Sequence, residues 1–387
     1  MFKIVTLNNI SPVGLKRFPG DRYSVGEELK SPDAILLRSY DMHDYVIPSS
    51  LKAVARAGAG VNNIPVKALS ERGIPVFNTP GANANAVKEL VLAGMFLGAR
   101  NICQAWRYVQ SLEGDDESLH RQVEAGKKQF VGFELPGRTL GVIGLGAIGV
   151  LVANAALKLG MRVVGYDPEL TVRRAWQLSS EAVQAASVED LLQQSDFVTL
   201  HVPLLDHTRD LINQARVARM RAGATLLNFS RQGIVSDDAV IEALNGGRLN
   251  AYVCDFPSER LRAHDRVIAL PHIGASTMEA EENCAVMAAN QLRDFLEDGN
   301  ITNSVNFPEV VMPRNAGSRV ALVNANVPNM LGQISTTLAR ADLNILDMLN
   351  KSRGELAYTL ADVEGAIPAA VLGELAGIDG VLSVRAV

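Results

Sequence analysis

Cysteine is scarce, and three in 387 residues leave little room for cross-linking. Cys103, Cys254 and Cys284 are odd in number, far apart and without a CxxC pair. The sequence therefore offers neither a disulfide framework nor a thiolate metal site. All three are expected as small core residues. A concentrated basic block is also missing. The net charge of −5 is spread along the chain, which argues against nucleic acid as the main partner, because phosphate binding needs a concentrated positive face. Lys127-Lys128 and Arg173-Arg174 read as solvated surface. No apolar run is long enough to span a bilayer, since the longest, over residues 86–99, is interrupted by Lys88 and Glu89. No signal-peptide pattern opens the sequence, and residues 1–8 read as a buried strand, so a cytoplasmic location is expected. The histidines lack zinc-ligand spacing, and no metal is expected.

What is present is alternation. At 387 residues the chain exceeds what one core usually organises, so two or three domains are expected. Short, nearly continuous apolar runs at 3–7, 34–37, 52–55 and 74–77 read as strands of a parallel sheet covered on both faces. A helical pattern runs over 86–110, followed by a polar stretch over 115–129. Further strands are expected at 139–144, 162–167, 197–202, 225–229, 251–255 and 267–270. Helical segments lie between most of them, which gives βαβ units and doubly wound sheets. A long helix is expected over 278–298, then an irregular stretch with Pro308 and Pro313. The last segment reads strand 319–326, helix 330–341, strands 345–351 and 357–363, helix 368–376 and strand 381–386. That βαββαβ order is ferredoxin-like. The expected fold is α/β, with two doubly wound parallel-sheet domains (Rossmann or flavodoxin-like) and a small ferredoxin-like C-terminal domain.

A glycine motif, Gly144-Leu145-Gly146-Ala147-Ile148-Gly149, joins a strand to a helix. In that setting Gly144 permits a tight turn, Gly146 lets the backbone approach a pyrophosphate, and Gly149 allows close helix–strand packing. The diphosphate would sit on the free N–H groups of the helix start. The next strand ends in Asp167, eighteen residues past Gly149. A carboxylate there accepts hydrogen bonds from ribose hydroxyls and repels a 2′-phosphate, which favours NAD over NADP.

The later strands end in polar residues, where an open α/β sheet binds ligands. Arg231 follows one strand, Glu259 the next and His272 the one after. Hydride transfer at a 2-hydroxy or 2-keto acid needs these three types. An arginine holds the carboxylate and polarises the C2 oxygen. A histidine exchanges the hydroxyl proton near neutral pH, and an acid beside it stabilises the imidazolium. His43, His120, His207 and His264 are read as non-catalytic, and His201 as lining the cofactor cleft.

These motifs together resemble the D-isomer-specific 2-hydroxyacid dehydrogenases. The resemblance rests on Arg56-Ala-Gly-Ala-Gly-Val-Asn-Asn63, Asn78-Thr-Pro80, Leu145 in the glycine motif, His201-Val202-Pro203, residues 228–235 and Pro271-His-Ile-Gly-Ala-Ser-Thr277. It implies that Arg231 binds the substrate carboxylate, that His272 is the acid/base and that Glu259 is its partner. It also implies that His201, Val202, Pro203, Ser230, Asp255 and Gly274 accompany the glycine motif around NAD. Within the family the sequence resembles the members that oxidise 3-phospho-D-glycerate to 3-phosphooxypyruvate, the first step of L-serine biosynthesis, and that reaction is what the resemblance implies here. The resemblance then implies that Arg38, Ser39, Arg56, Gly58 and Asn83 surround the substrate's carboxylate and phosphate, although from the residues alone Arg38 and Arg56 are surface strand ends. The alternatives are another small D-2-hydroxy acid (glycerate, erythronate 4-phosphate or lactate), or a non-catalytic NAD-sensing protein of the same fold. The sequence departs from the family pattern at Gln232, at Ser236 and in the segment before Glu259, which is one residue short.

The expected domains are 1–95 with 278–305 for substrate, 96–277 for NAD, a linker at 306–317 and a C-terminal domain at 318–387. The last resembles an ACT domain in Asn324-Ala-Asn326-Val-Pro328-Asn-Met-Leu-Gly332. That resemblance implies either an L-serine effector at Asn324, Asn326 and Asn344 or a role in assembly alone. A homodimer or homotetramer is expected.

Overall fold

Ala-Ile-Leu-Leu at residues 34–37 has no exposed surface, which a strand achieves only inside a sheet with both faces covered. It forms the middle of a parallel sheet of β1 (Phe2–Leu7), β2 (Tyr23–Gly26), β3 (Ala34–Leu37), β4 (Ala53–Arg56) and β5 (Val76–Phe77), ordered β2-β1-β3-β4-β5. Alternate residues divide between two cores. Ile4, Leu36 and Ala55 face one that includes Ala288, Leu292 and Phe295 of helix Met278–Asp298. Val5, Ile35, Leu37 and Val54 face the other with Leu69 and Ile74. The order reverses between β1 and β3, and that switch point is where such sheets bind ligands. The edge strand β2, Tyr-Ser-Val-Gly, lacks an apolar run and leaves no strand signal in the sequence.

The second parallel sheet comprises β6 (Thr139–Ile143), β7 (Arg162–Tyr166), β8 (Val183–Gln184), β9 (Phe197–Leu200), β10 (Ala224–Asn228), β11 (Leu249–Cys254) and β12 (Val267–Ala269). Its order, β12-β11-β10-β9-β6-β7-β8, is that of a dinucleotide-binding sheet, with the switch between β6 and β9. The helical pattern over 86–110 is two helices, Ala84–Arg100 and Ile102–Gln110. Asn101 separates them at φ +50°, the left-handed region that ends a helix. The polar stretch after it is helical from Asp116 to Gly126, with the Asp115 side chain accepting from Ser118 N–H. Cys254 and Cys284 are buried as expected, whereas Cys103, on the second of these helices, is only half-buried.

The antiparallel sheet of β13 (Ser318–Ala325), β14 (Ile345–Arg353), β15 (Leu356–Val363) and β16 (Val381–Ala386) is ordered β14-β15-β13-β16, with helices Met330–Arg340 and Ala369–Ala376 between its strands. One face covers those helices. From the other, Ala321, Val323, Tyr358 and Leu360 enter the same core as Phe77, Phe295 and Phe307, and the Tyr358 hydroxyl donates to Gly299 O at 2.6 Å. The stretch leading into this module is equally anchored, because Phe307, Val310 and Met312 are buried. Apolar side chains at that spacing pin the segment to the first unit.

This is a computed structural model that describes residues 1–314 and 317–387; residues 315 and 316, within the expected linker, lie outside the described residues. The chain forms two units, one of Met1–Asn83 with Met278–Val387 and one of Ala84–Thr277. Among the described residues, no helix is long and apolar enough to cross a membrane.

Candidate active site

The three glycines after β6 separate by what surrounds them. Gly144 has φ +91°, and a Cβ there would lie 2.6 Å from His201 O. A Cβ on Gly149 would lie 1.9 Å from Gly144 O, so helix Ala147–Lys158 and the turn pack without room for a side chain. Around Gly146 nothing lies within 4 Å, and no side chain caps the helix it begins. An open backbone at an uncapped helix start is the cradle a diphosphate requires. Asp167 stands beside it. Its Oδ2 accepts from Leu145 N–H at 2.8 Å and its Oδ1 from Glu169 N–H at 2.9 Å. Each carboxylate oxygen keeps a lone pair for a ribose hydroxyl. The residues present fit NAD.

Opposite the glycine turn, His201 follows β9. Its Nε2 is 3.0 Å from Thr199 Oγ1, and its Nδ1 is buried without a partner. Burial pushes the ring from its usual 6.5 down to about 3. Between those values the unfolded chain binds the proton and the folded chain does not. Stability is therefore lost as pH falls from about 6.5 towards 3, by at most about 1.4 kcal/mol per pH unit from this ring. His201→Asn is expected to flatten that acid limb in denaturant midpoints measured across the window. An unchanged slope would show that the ring is not held neutral.

The remaining strand ends are tied to one another. The Ser230 hydroxyl donates to Val202 O at 2.5 Å. Asn228, 1% exposed, accepts from Ser230 N–H at 3.1 Å and donates to Arg231 O at 3.0 Å. This brace leaves Arg231 exposed, with Nη1 donating to Ser230 O at 2.7 Å. Asp255, also 1% exposed, accepts from Ile273 N–H at 2.9 Å and Gly274 N–H at 2.7 Å. It thereby fixes the loop carrying His272, whose φ is +56°. A non-glycine residue in that region costs about 1–3 kcal/mol and persists only where its surroundings impose it. The exposed imidazole lies on Phe256, with ring centroids 5.0 Å apart.

Glu259 is not joined to His272. It begins the short helix Glu259–Arg262 behind Ser258, whose hydroxyl donates to Asp237 Oδ2 at 2.8 Å. No hydrogen bond links the carboxylate to the imidazole among the described residues. The sequence reading also missed the Asn228 brace, the Asp255 anchor for the histidine loop and the Phe256 shelf. The Asn228-Phe-Ser230 spacing is an Asx-turn signal that could have shown the first.

In the first unit, Arg38 and Ser39 follow β3 at the switch point and line a cavity of about 490 Å³ with Asn8 and Asn9. Arg38 Nη1 is 2.6 Å from Glu281 Oε1. Arg56 Nε donates to Arg38 O at 2.9 Å, and its guanidinium lies where a Cβ on Gly58 would stand, 2.3 Å from Nη1. Asn83 is half-buried. In the C-terminal module the three candidate asparagines do not converge. Asn324 is buried and donates to Ala325 O. Asn326 bonds Gly354 O before β15, whereas Asn344 bonds Glu364 beyond its far end.

Residues 92–274 match the family described as D-isomer specific 2-hydroxyacid dehydrogenase, NAD binding domain. A D-3-phosphoglycerate dehydrogenase of Haemophilus influenzae is 36% identical over 338 residues, covering 84% of this chain and 78% of the relative. The chain belongs to the D-isomer specific 2-hydroxyacid dehydrogenase family. A D-3-phosphoglycerate dehydrogenase of Methanocaldococcus jannaschii is 34% identical, and the match covers 87% of this dehydrogenase but 63% of that longer relative. Among solved structures, the apo D-mandelate dehydrogenase of Rhodotorula graminis aligns with TM-score 0.68 and 26% identity over 81% of this chain and 99% of that one. The NAD+-bound 3-phosphoglycerate dehydrogenase of Entamoeba histolytica aligns with TM-score 0.61 and 26% identity, over 79% and 98%. The dehydrogenase is NAD-dependent and acts on D-2-hydroxy acids.

Proposed function

We propose that the enzyme oxidises 3-phospho-D-glycerate with NAD+ to 3-phosphooxypyruvate, NADH and a proton, the entry to L-serine synthesis. The observation that carries this reading is the 36% identity to a D-3-phosphoglycerate dehydrogenase across 84% of the chain. Two arginines at adjacent strand ends of the first unit support it, because this substrate has a second anionic group that glycerate and lactate lack. Arg38, Ser39, Arg56, Gly58 and Asn83 take those anions in this proposal. A guanidinium has five N–H donors, so the Glu281 pair leaves Arg38 donors to spare.

Bound NAD+ supplies the acceptor for the hydride that leaves C2. Arg231 holds the carboxylate and polarises the C2 oxygen, and His272 takes the hydroxyl proton and passes it to solvent from its exposed position. Glu259 stabilises the imidazolium, a pairing that in ligand-free enzymes is often longer than in complexes. The C-terminal module is read as ACT-like. Its exposed edge strand β14 suits pairing with a second copy, which gives a homodimer or homotetramer. An L-serine site using both Asn326 and Asn344 needs two copies, since the two residues lie at opposite ends of β15. Three unpaired cysteines suit a reducing, cytoplasmic location.

Steady-state rates with NAD+ on 3-phospho-D-glycerate, D-glycerate, D-erythronate 4-phosphate and D-lactate test the substrate. The expected kcat/KM for 3-phospho-D-glycerate exceeds that for D-glycerate by at least about tenfold, the least that one charge-assisted hydrogen bond contributes. Equal values would overturn the assignment.

A further inference from the structure

Helix Met278–Asp298 buries Cys284, Ala285, Ala288, Ala289, Leu292 and Phe295. On another flank, Asn283, Val286, Met287, Asn290, Gln291 and Asp294 recur at alternating intervals of three and one and form a stripe. With Thr302 and Asn303 they line a cavity of about 520 Å³ that the dehydrogenase reaction does not use. Gln291 is 5% exposed, yet neither its Oε1 nor its Nε2 has a hydrogen-bond partner. A buried amide left unpaired keeps the full cost of its lost hydration, so it calls for an occupant that hydrogen-bonds.

The charge around the cavity limits what that occupant can be. None of the lining residues is cationic. The helix carries six acids, Glu279, Glu281, Glu282, Asp294, Glu297 and Asp298, of which Glu281 is paired with Arg38 and Glu297 with Arg22 and Arg293. Asp294 is the one carboxylate in the lining, and an anion there would meet it with no lining cation to offset it. Asp294 accepts one hydrogen bond, from Asn300 Nδ2 at 2.9 Å. Burial raises its carboxyl and Asp298 and Glu297 add to the rise, against the opposing effects of the Asn300 hydrogen bond and of the Arg319 charge. Val286 and Met287 supply a short apolar wall.

We propose that this groove binds a small primary ammonium compound, an alkylamine or diamine, with its NH3+ group between Asp294 and the Gln291 carbonyl and its methylenes along Val286 and Met287. The groove shares no lining residue with those assigned to substrate or NAD and does not depend on which hydroxy acid is oxidised.

Thermal melts of the full chain with putrescine test it, with tetramethylammonium as a cation that cannot donate a hydrogen bond. Putrescine is expected to raise Tm with concentration and tetramethylammonium to leave it unchanged. Asp294→Asn should weaken putrescine binding by at least about tenfold by calorimetry, the loss of one charge-assisted hydrogen bond. Gln291→Met should weaken it as well, while leaving the amine-free protein at least as stable, because it replaces two unpaired buried atoms with apolar ones. A flat melt with millimolar putrescine, an equal response in Asp294→Asn, or an equal shift by tetramethylammonium would overturn the proposal.

Discussion

His272→Ala is expected to lower kcat by at least about a hundredfold, the smallest contribution usual for a positioned acid–base group, while NAD affinity stays within about twofold of the original. The split follows from where the side chain is and what holds its backbone. The imidazole is exposed, with Phe256 as its one ring neighbour, so its removal opens no cavity. The backbone at φ +56° is imposed by the two N–H bonds that Asp255 accepts from Ile273 and Gly274. Those bonds do not involve the imidazole and should survive the substitution. The glycine turn that receives the diphosphate is built from β6 and helix Ala147–Lys158, and the nearest atoms to its Gly144 and Gly149 belong to His201, Val202, Gly144 and Val142. His272→Asn provides the control for strain, because asparagine tolerates the left-handed region better than alanine. It should match the original protein in Tm and the alanine variant in kcat. An unchanged kcat in either variant would remove His272 from the proton transfer and leave the mechanism without a base.

The parts of the fold legible in the sequence are those where one physical requirement acts alone. β3 and β6 are buried on both faces, and apart from Thr139 at the start of β6 they are continuously apolar. Helix Met278–Asp298 keeps one apolar flank for its whole length. Gly144 and Gly149 stand where any Cβ would collide with backbone. In each case a single local constraint writes the residue type. The break at Asn101 was not legible, because asparagine in the left-handed region is permitted rather than required. The module on β13–β16 was legible as βαββαβ, but its packing on the first unit was not. Residues such as Val323, Tyr358 and Leu360 would serve equally in a free-standing sheet, and only the three-dimensional partner distinguishes the two cases. At the site, the residue types Arg231, Glu259 and His272 were legible from the chemistry that the strand ends must perform. The Asp255 anchor and the gap between Glu259 and His272 depend on loop geometry, which one residue more or less in a segment resets.

Arg319→Met is expected to destabilise the first unit by about 3–5 kcal/mol, the usual cost of breaking a buried ion pair from one side. Arg319 is fully buried. Nε and Nη2 meet the two oxygens of Asp362 at 2.6 and 2.8 Å, while Nη1 donates to Asp298 O and Met312 O and Nη2 to Pro313 O. One guanidinium thus joins β15 of the C-terminal module, the last residue of helix Met278–Asp298 and the segment between them. Methionine fills similar volume, so the loss measures hydrogen bonds and charge rather than a cavity. Arg319→Met leaves two deficits, the Asp362 charge at 2% exposure and three backbone carbonyls. The double variant Arg319→Met/Asp362→Leu removes the first and keeps the second. If the ion pair alone held the joint, the double variant would recover nearly all of the loss, as replaced buried pairs often do. Because methionine lacks the planar fork that reaches three carbonyls, recovery is expected to be partial, at about half. Denaturant midpoints of the three proteins decide between these outcomes. A single-variant loss below about 1 kcal/mol, within the range of a surface pair, would mean that the module is held by the Val323, Tyr358 and Leu360 packing alone.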